Sequence, residues 1–272
     1  MEVINIKVLS LFDGMSCGQI AIERAGFVID KYYASEIDKH AIKVTMNNYP
    51  DTIQLGDVTE INFTKYLGKV DLLIGGSPCQ GFSKAGKGLN FDDPRSKLFF
   101  EYVRAIKEVK PKYFLLENVV MKQWCQDIIS EMLGVQPVRI NSNLVSAQNR
   151  DRLYWTNISN VTQPEDKQIY FGHIKEHDAD DKYYYSDKAM NWINRHSDRT
   201  GKQLRVWDDN TKIQMLEASM HKLYSAQRFF AVPDKKGLRY ITPLECERAQ
   251  TVPEGYTEGV SKSQRYRMLS NG

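Results

Sequence analysis

Cys79 lies in a turn whose composition favours one exposed side chain. The segment GGSPCQGFS, residues 75–83, follows the apolar run of residues 70–74, which is typical of a buried strand. The proline and the flanking glycines favour a tight, rigid turn. Because ligands of open α/β sheets bind at the carboxyl ends of the strands, a thiol at this position suits a nucleophile. The alternative is a small, buried apolar side chain, the usual environment of a free cysteine.

Three acidic residues follow other predicted strands. Glu36 lies roughly 20 residues past a glycine turn, where a carboxylate accepts hydrogen bonds from a ribose. The alternative for Glu36 is the N-terminal end of the next helix, where the helix dipole favours an acid. Asp57 ends a third short strand and suits an adenine amino group, or it faces water as loop acids do. Glu117 follows the apolar strand of residues 113–116, a position that suits a proton donor and acceptor.

The elements that position these residues begin with a strand, a glycine turn and a helix. Residues 7–12 are β-prone, residues 13–18 are the turn, and residues 19–25 have helical spacing before Gly26. This order is typical of a doubly wound nucleotide-binding fold, although a tight turn without a ligand has the same pattern. Apolar positions of residues 98–109 predict an amphipathic helix that ends before Pro111.

Cysteine spacing and apolar content exclude several classes of protein. The four cysteines are scattered, without the paired spacing of a zinc site or a redox dithiol, so we expect no metal. No apolar run reaches membrane-spanning length, and the N-terminus lacks the regions of a signal peptide. We therefore expect no membrane partner and a cytoplasmic location.

Positive charge is concentrated in the second half of the chain. The formal net charge of the 272 residues is +3, with −1 in residues 1–135 and +4 in residues 136–272. A polyanion is therefore expected to contact the C-terminal half, although ordinary solvated surface is compatible with the same difference.

Together, the ordered motifs of the chain resemble those of the cytosine-5 DNA methyltransferases, closest to the de novo-type branch and its phage and bacterial relatives. The matching segments are FDGMSCG (12–18), EID (36–38), GDV (56–58), GSPCQ (76–80), ENV (117–119), QNRDR (148–152), RYITPLECERAQ (239–250) and QRYRMLSNG (264–272).

The resemblance implies a fold, a cofactor and a set of domains. The fold is a doubly wound, mostly parallel α/β sheet of a class I S-adenosylmethionine-dependent methyltransferase, with a small, irregular target-recognition subdomain. The expected domains are the catalytic domain at 1–157, the target-recognition region at 158–238, and a return to the catalytic domain at 239–272. The residues assigned to S-adenosylmethionine are Phe12, Asp13, Gly14, Ser16, Gly18, Glu36, Ile37, Asp57, Val58, Pro78, Leu98 and Asn271.

The same resemblance implies a covalent mechanism on double-stranded DNA. Cys79 is the nucleophile that adds to carbon-6 of cytosine, Glu117 is the acid at ring nitrogen 3, and Arg150 and Arg152 hold the target base. The base is flipped out of the duplex, since this chemistry cannot reach a stacked base. The residues expected to contact DNA are Ser83, Arg195, Arg199, Lys202 and Arg205.

The resemblance leaves two alternative functions open and implies two partners of the chain. One alternative keeps the chemistry but acts on transfer RNA, and the other is a catalytically silent DNA-binding subunit. The family's tenth motif continues past its Asn-Gly pair into an apolar helix, so the resemblance implies a completing C-terminal segment or a second chain. The bacterial relatives also suggest a restriction endonuclease as a partner.

Overall fold

The computed structural model describes residues 4–77, 94–201, 203–220 and 230–272, with side chains from residue 97 in the second range. The chain divides into two compact units, residues 1–140 with 151–163 and residues 141–150 with 164–272. Residues 239–272 therefore group with the second unit, whereas the resemblance assigned them to a catalytic domain. The functional boundaries at 157 and 238 stay a prediction.

A twisted, mostly parallel sheet forms the centre of the first unit. Among the described residues its seven strands are β1 (Asn5–Leu11), β2 (Val28–Ser35), β3 (Ile53–Gln54), β4 (Leu72–Gly75), β5 (Tyr113–Val119), β6 (Val138–Asn141) and β8 (Asp151–Thr156). They lie in the order β3-β2-β1-β4-β5-β8-β6. The helices are α1 (Cys17–Arg24), α2 (Lys39–Asn48), α3 (Pro94–Val109) and α4 (Gln123–Leu133).

Strand pairing brings the predicted functional turns to one edge of this sheet. β1 pairs in parallel with β2 on one side and β4 on the other, and β5 pairs in parallel with β4. Leu11 lies opposite Gly75, and Gly75 lies opposite Leu116. The residues that follow β1 and β4 therefore emerge side by side, where the strand order reverses and open α/β sheets bind ligands.

Apolar side chains hold this arrangement from both faces of the sheet. Leu9 and Leu11 point into the main core with Phe99 and Tyr102 of α3. Val8 belongs to a second cluster with Ile22, Tyr32 and Ala34. Alternate residues of β1 thus face opposite cores, as the two-residue period of a strand requires. The doubly wound α/β fold expected from the sequence is confirmed.

The second unit is built from short strands and three helices among its described residues. β7 (Gln148–Asn149) pairs with β10 (Ile213–Gln214), and β11 (Phe230–Asp234) lies between β9 (Arg205–Val206) and β12 (Gly237–Arg239). The helices are α5 (Asp187–Thr200), α6 (Pro243–Ala249) and α7 (Lys262–Asn271).

Side chains cap the starts of two helices in the second unit. The capping box at Thr242 and Glu245 is present at the start of α6. Ser261 caps α7 through the Gln264 N–H, but Gln264 Oε1 is buried without a hydrogen-bond partner among the described residues. Tyr183 ends a 3-10 turn that Asp180 caps, and Tyr184 forms an isolated antiparallel bridge with Arg239.

Within the described ranges, no helix combines the length and apolar character needed to cross a bilayer.

Candidate active site

The glycine turn after β1 has an unusual backbone. Phe12, Gly14 and Ser16 have positive φ angles of 58°, 60° and 60°. Glycine adopts this region at little cost, whereas Phe12 and Ser16 need support from their surroundings. A Cβ built at Gly14 would meet no described atom within 4 Å, so the backbone is open to a ligand here.

Glu36 closes this turn with its carboxylate. Its Oε2 accepts the Gly14 N–H at 2.8 Å, and its Oε1 accepts the N–H groups of Ile37 and Asp38 at 2.7 and 2.8 Å. A carboxylate has about four acceptor sites, so Oε2 retains one for a further donor. Beside it, the Ile37 side chain is 74% exposed, which gives an apolar surface next to an acid.

Asp13 lies at the centre of a hydrogen-bonded cluster beneath the turn. Its Oδ1 accepts the Tyr32 hydroxyl at 2.7 Å, and its Oδ2 accepts the Ser16 hydroxyl. Burial raises the pKa of Asp13 to about 6, a larger effect than the lowering by hydrogen bonds from Ser10, Ser16 and Tyr32; the charge of Glu36 also raises it. The Thr45 hydroxyl donates to the Ser16 hydroxyl at 3.1 Å and extends the cluster to α2.

Gly18 lets α1 approach the sheet closely. A Cβ at this position would collide with Ile74 Cδ1 and would lie 2.9 Å from the Tyr32 hydroxyl. The first turn of α1 therefore packs directly over the Tyr32–Asp13 hydrogen bond.

The Asp57–Val58 segment is held from both ends. Asp57 Oδ1 accepts the Thr59 N–H and hydroxyl at 2.9 and 2.8 Å, and these bonds lower the pKa of Asp57. On the other side, Arg104 of α3 donates to the Val58 carbonyl at 3.1 Å and to the Ile61 carbonyl at 3.0 Å. Its guanidinium also lies 4.4 Å from the Phe63 ring centroid, a cation–π distance.

Glu117 and Arg152 form an ion pair on adjacent antiparallel strands. Glu117 lies opposite Tyr154 in the β5–β8 register, so Arg152, two residues earlier on β8, projects from the same face. Arg152 Nε lies 2.6 Å from Glu117 Oε1. Arg152 is 6% exposed, so this positive charge is fixed in a partly desolvated position.

The chain leading to the cysteine passes directly beside this acid. A Cβ at Gly76 would lie 3.1 Å from Glu117 Oε2, a contact that glycine avoids. Asn118 then holds the next residue, because its Nδ2 donates to the Ser77 carbonyl at 3.2 Å and approaches the Ser77 hydroxyl at 3.4 Å. Asn118 and Ser77 are both buried.

Some residues expected at the site lie against the core or outside the described part of the chain. Phe12 and Leu98 are partly buried against the main core of the first unit. Pro78, Cys79, Ser83 and Lys202 lie outside the described residues.

Several expected functional residues belong to the second unit. Arg150 Nη1 and Nη2 donate to the carbonyls of Ser270 and Asn271 at 3.0 and 3.3 Å, and the Asn271 residue is exposed. Arg195 and Arg199 are exposed on α5, whose C-cap is Gly201, and Arg205 is exposed on β9.

Sequence reasoning did not single out Tyr32, Arg104 or Asn118. Tyr32 and Arg104 act through tertiary contacts with distant residues, so no local pattern marks them. The sequence did contain a pointer to Asn118, because this residue is the second in the ENV segment that matches a family motif. In the described ranges, no group of three or more His, Cys, Asp and Glu side chains has the arrangement of a metal site.

The chain matches one protein-family model over almost its full length. The model of the C-5 cytosine-specific DNA methylases matches residues 6–272. The type II methyltransferase M1.ScrFI of Lactococcus lactis subsp. cremoris is 34% identical over 292 residues, which cover 97% of this chain and 74% of that protein. The orphan methyltransferase M.SPRI of Bacillus phage SPR is 38% identical over 163 residues, which cover 55% of this chain and 37% of that protein.

A solved structure has the same fold. The Entamoeba histolytica methyltransferase EhMeth superposes with a TM-score of 0.81 and 16% sequence identity, covering 100% of this chain and 94% of that one.

Proposed function

Since the chain belongs to the C-5 cytosine-specific DNA methylase family, we propose that it transfers a methyl group from S-adenosylmethionine to carbon-5 of cytosine in double-stranded DNA. The observation that carries the proposal is the 2.6 Å contact between Glu117 and Arg152, with the backbone of Gly76 against the other carboxylate oxygen. An acid, a fixed cation and the chain that leads to Cys79 thus lie at one edge of the sheet.

This arrangement suits the activation of cytosine. Carbon-5 of cytosine is a poor nucleophile until a thiolate has added to carbon-6, which is the step we assign to Cys79. Glu117 would hydrogen-bond and protonate ring nitrogen 3 as electrons move into the ring. The Arg152 guanidinium would lie beside the base and stabilise the negative charge that develops there. After carbon-5 has accepted the methyl group, removal of its proton by water or a general base would break the carbon–sulfur bond, return the Cys79 thiolate and give the nitrogen-3 proton back to Glu117.

The residues after β1, β2 and β3 fit S-adenosylmethionine. The open backbone at Gly14 allows close approach, and the remaining acceptor site of Glu36 suits a ribose hydroxyl. The exposed Ile37 side chain suits the face of an adenine ring, Asp57 suits its amino group, and the Asp13 carboxylate suits a cationic ligand. When bound, this cofactor supplies an electrophilic methyl group.

Thiolate formation at Cys79 needs help from its surroundings. A cysteine of ordinary pKa, about 8.5, is only a few per cent thiolate at neutral pH. Positive potential near a thiol favours the thiolate.

DNA contacts are assigned to Ser83, Arg195, Arg199, Lys202 and Arg205. The exposure of the three arginines supports this assignment, because exposed guanidinium groups bind phosphates and base edges. The target cytosine must leave the duplex to reach Cys79. Replacing Arg195 and Arg199 by alanine should reduce the slope of log affinity against log salt concentration by about one for each phosphate that the protein no longer neutralises.

The decisive experiment measures transfer of a labelled methyl group to duplex DNA and to transfer RNA. The wild type should methylate DNA, and Cys79→Ser should lose at least about 10³-fold of the rate while still binding cofactor. Cys125→Ala is the matched control, because Cys125 is a buried core residue and should retain the wild-type rate.

A second measurement tests the covalent step directly. DNA that carries 5-fluorocytosine cannot lose the substituent at carbon-5 as a proton, so the adduct should accumulate with the wild type and Cys125→Ala but not with Cys79→Ser. Methylation of transfer RNA alone would overturn the DNA assignment. DNA binding without any transfer at saturating cofactor would instead identify a silent subunit.

Expression with a plasmid extends the test to the recognition site. Bisulfite sequencing should reveal cytosines methylated in one sequence context. If a restriction endonuclease is the partner, the modified plasmid should resist an endonuclease that cuts in that context.

A further inference from the structure

Arg104 bridges the two ends of the short turn that Asp57 caps. This 3-10 turn is formed by Val58–Glu60, and Ile61 follows it. Arg104 Nη2 donates to the Val58 carbonyl at 3.1 Å, and its Nη1 donates to the Ile61 carbonyl at 3.0 Å. One planar guanidinium thus holds both ends of the turn at once, because its N–H donors form a rigid fork. Arg104 and the turn belong to the first unit.

The guanidinium of Arg104 is itself oriented by its neighbours. Its Nε and Nη2 donate to Glu101 Oε2 at 2.8 and 2.5 Å, and its Nη1 donates to Glu108 Oε2 at 3.4 Å. The Phe63 ring centroid lies 4.4 Å from the guanidinium carbon. Because two acids of the same helix fix its direction, Arg104 ties the turn to α3.

Ser35 holds the chain on the other side of Asp57. The Ser35 hydroxyl donates to the Gly56 carbonyl at 2.8 Å, and Ser35 is buried. Gly56 has a φ angle of 76°, which glycine adopts at little cost. Ser35 directly precedes Glu36, the acid that the proposed function assigns to the ribose. Asp57 therefore lies between a bond to β2 and two bonds to α3.

These contacts leave one oxygen of the Asp57 carboxylate available to a ligand. Oδ1 accepts the N–H and the hydroxyl of Thr59, whereas Oδ2 has no hydrogen-bond partner in the part of the chain that the structure describes. A hydrogen bond from a ligand N–H needs a distance of about 3.2 Å or less and a nearly straight angle. The position of the turn therefore decides whether Oδ2 meets an amino group.

We propose that Arg104 is a positioning residue that sets the selectivity of the cofactor site for adenine: by holding the carbonyls of Val58 and Ile61, it directs Asp57 at the 6-amino group of the purine. This inference rests on the proposed function, since it concerns the same cofactor. An arginine with a merely structural role would affect all ligands of the site equally. A positioning residue instead affects the ligands that carry the amino group.

Calorimetry on the full chain with two ligands tests the proposal without any methyl transfer. The ligands are S-adenosylhomocysteine and its analogue with hydrogen in place of the 6-amino group. The wild type should bind S-adenosylhomocysteine at least about tenfold more tightly, as expected for one hydrogen bond to a charged acceptor. Arg104→Met removes the fork, so this preference should fall below about threefold. Arg104→Lys keeps the charge but cannot bridge both carbonyls and should give an intermediate preference.

Val103→Ala is the matched control, because Val103 is the core neighbour of Arg104 on the same helix. This variant should lose stability but keep the wild-type preference between the two ligands. Asp57→Ala should remove the preference. The double variant Asp57→Ala/Arg104→Met should then behave like Asp57→Ala, because the two residues act as a unit and their effects do not add.

Titration of Asp57 tests the same link without any ligand. Hydrogen bonds from the Thr59 N–H and hydroxyl hold the pKa of Asp57 below its ordinary value. Because Arg104 keeps this turn in place, the pKa of Asp57 measured by carbon-13 NMR should rise toward the ordinary value in Arg104→Met. It should stay at the wild-type value in Val103→Ala.

The outcomes distinguish this inference from the proposed function. An equal loss of affinity for both ligands in Arg104→Met would overturn the positioning role, and so would a wild type that binds both ligands equally. If the wild type has the preference but methylates nothing, the proposed function fails and the two affinities still decide the role of Arg104. If Arg104→Met does not fold, Arg104→Lys decides it: an unchanged preference with an unchanged pKa of Asp57 rejects the proposal. A wild type that binds neither ligand overturns both.

Discussion

The Tyr32 hydroxyl donates a 2.7 Å hydrogen bond to Asp13 Oδ1, directly beneath the turn that the cofactor is proposed to contact. Tyr32 is 3% exposed, and the first turn of α1 covers it at Gly18. The bond thus couples the core of the first unit to a carboxylate at the rim of the sheet. Because burial raises the pKa of Asp13 to about 6, the charge state of this carboxylate changes within a measurable pH range.

Asp13→Asn should change how stability depends on pH. The pKa of Asp13 rises from 3.8 in the unfolded chain to about 6 in the folded one. Its contribution to stability is therefore fully present below pH ~4 and is lost as the pH rises through 6. Between pH 4.5 and 8, the wild type should lose on the order of 1–2 kcal/mol of unfolding free energy relative to Asp13→Asn. Urea unfolding at several pH values measures the difference.

Asp51→Asn is the control for that experiment, because Asp51 is an exposed acid elsewhere in the same unit. The unfolding free energy of the Asp51→Asn variant should vary with pH as that of the wild type does. Parallel curves for the wild type and Asp13→Asn would contradict the assignment of a buried, titrating carboxylate to Asp13.

Tyr32→Phe should move the titration of Asp13 to higher pH. The hydrogen bond from Tyr32 lowers the pKa of Asp13, so its removal should raise that pKa by about half a unit to one unit. Carbon-13 NMR of the Asp13 carboxyl group reports the midpoint. The neighbouring Tyr33→Phe is a matched control, because the Tyr33 ring packs against Tyr66 in the main core. An equal shift in both variants would show that the hydroxyl of Tyr32 has no specific role.

Asn118→Ala should impair catalysis more than cofactor binding. Asn118 holds the Ser77 carbonyl, two residues before Cys79, so the substitution leaves a buried acceptor unpaired at a cost of about 1–3 kcal/mol in stability. The expected result is a fall in kcat of about tenfold or more with little change in affinity for S-adenosylhomocysteine. Gln123→Ala, at an exposed hydrogen bond on α4, is the control. A tenfold loss of affinity with an unchanged kcat would contradict this role.

The sequence predicted which turns meet at one edge of the sheet. Apolar runs ending at glycines or acids mark the strand ends before Phe12, Glu36 and Gly76, and the pairing of β1 with β4 confirms that two of these ends are neighbours. Such predictions succeed because the two-residue period and the breaking residues are local properties of the chain.

Contacts between distant elements were not predictable in this way. Which motif arginine meets Glu117 depends on the antiparallel register of β5 and β8, and the register follows from tertiary packing. Arg104 binds the carbonyl of Val58, 46 residues earlier, and nothing in the local pattern marks that contact. Helix α5 also lies inside the region that the resemblance implied to be irregular, and it buries Ala189 and Ile193.

The ion pair between Arg239 and Glu245 should be essential to the second unit. Both side chains are 0% exposed, the pair is 2.7 Å apart, and Asp234 lies 2.6 Å from the same guanidinium. Glu245 also accepts the N–H groups of Thr242 and Glu176 at 2.8 and 2.9 Å, so it joins the start of α6 to a distant loop. Arg239→Met should lower the unfolding free energy by about 3–5 kcal/mol, because it leaves a buried carboxylate unpaired.

Two comparisons make this last prediction specific. Arg139→Ala breaks an exposed ion pair with Asp151 and should change stability little, since solvent screens such pairs. The double variant Arg239→Met/Glu245→Met should recover part of the loss seen in Arg239→Met, because it also removes the unpaired charge. Chemical unfolding of the three variants measures these differences. If Arg239→Met and Arg139→Ala are equally stable, the buried pair does not hold the second unit together.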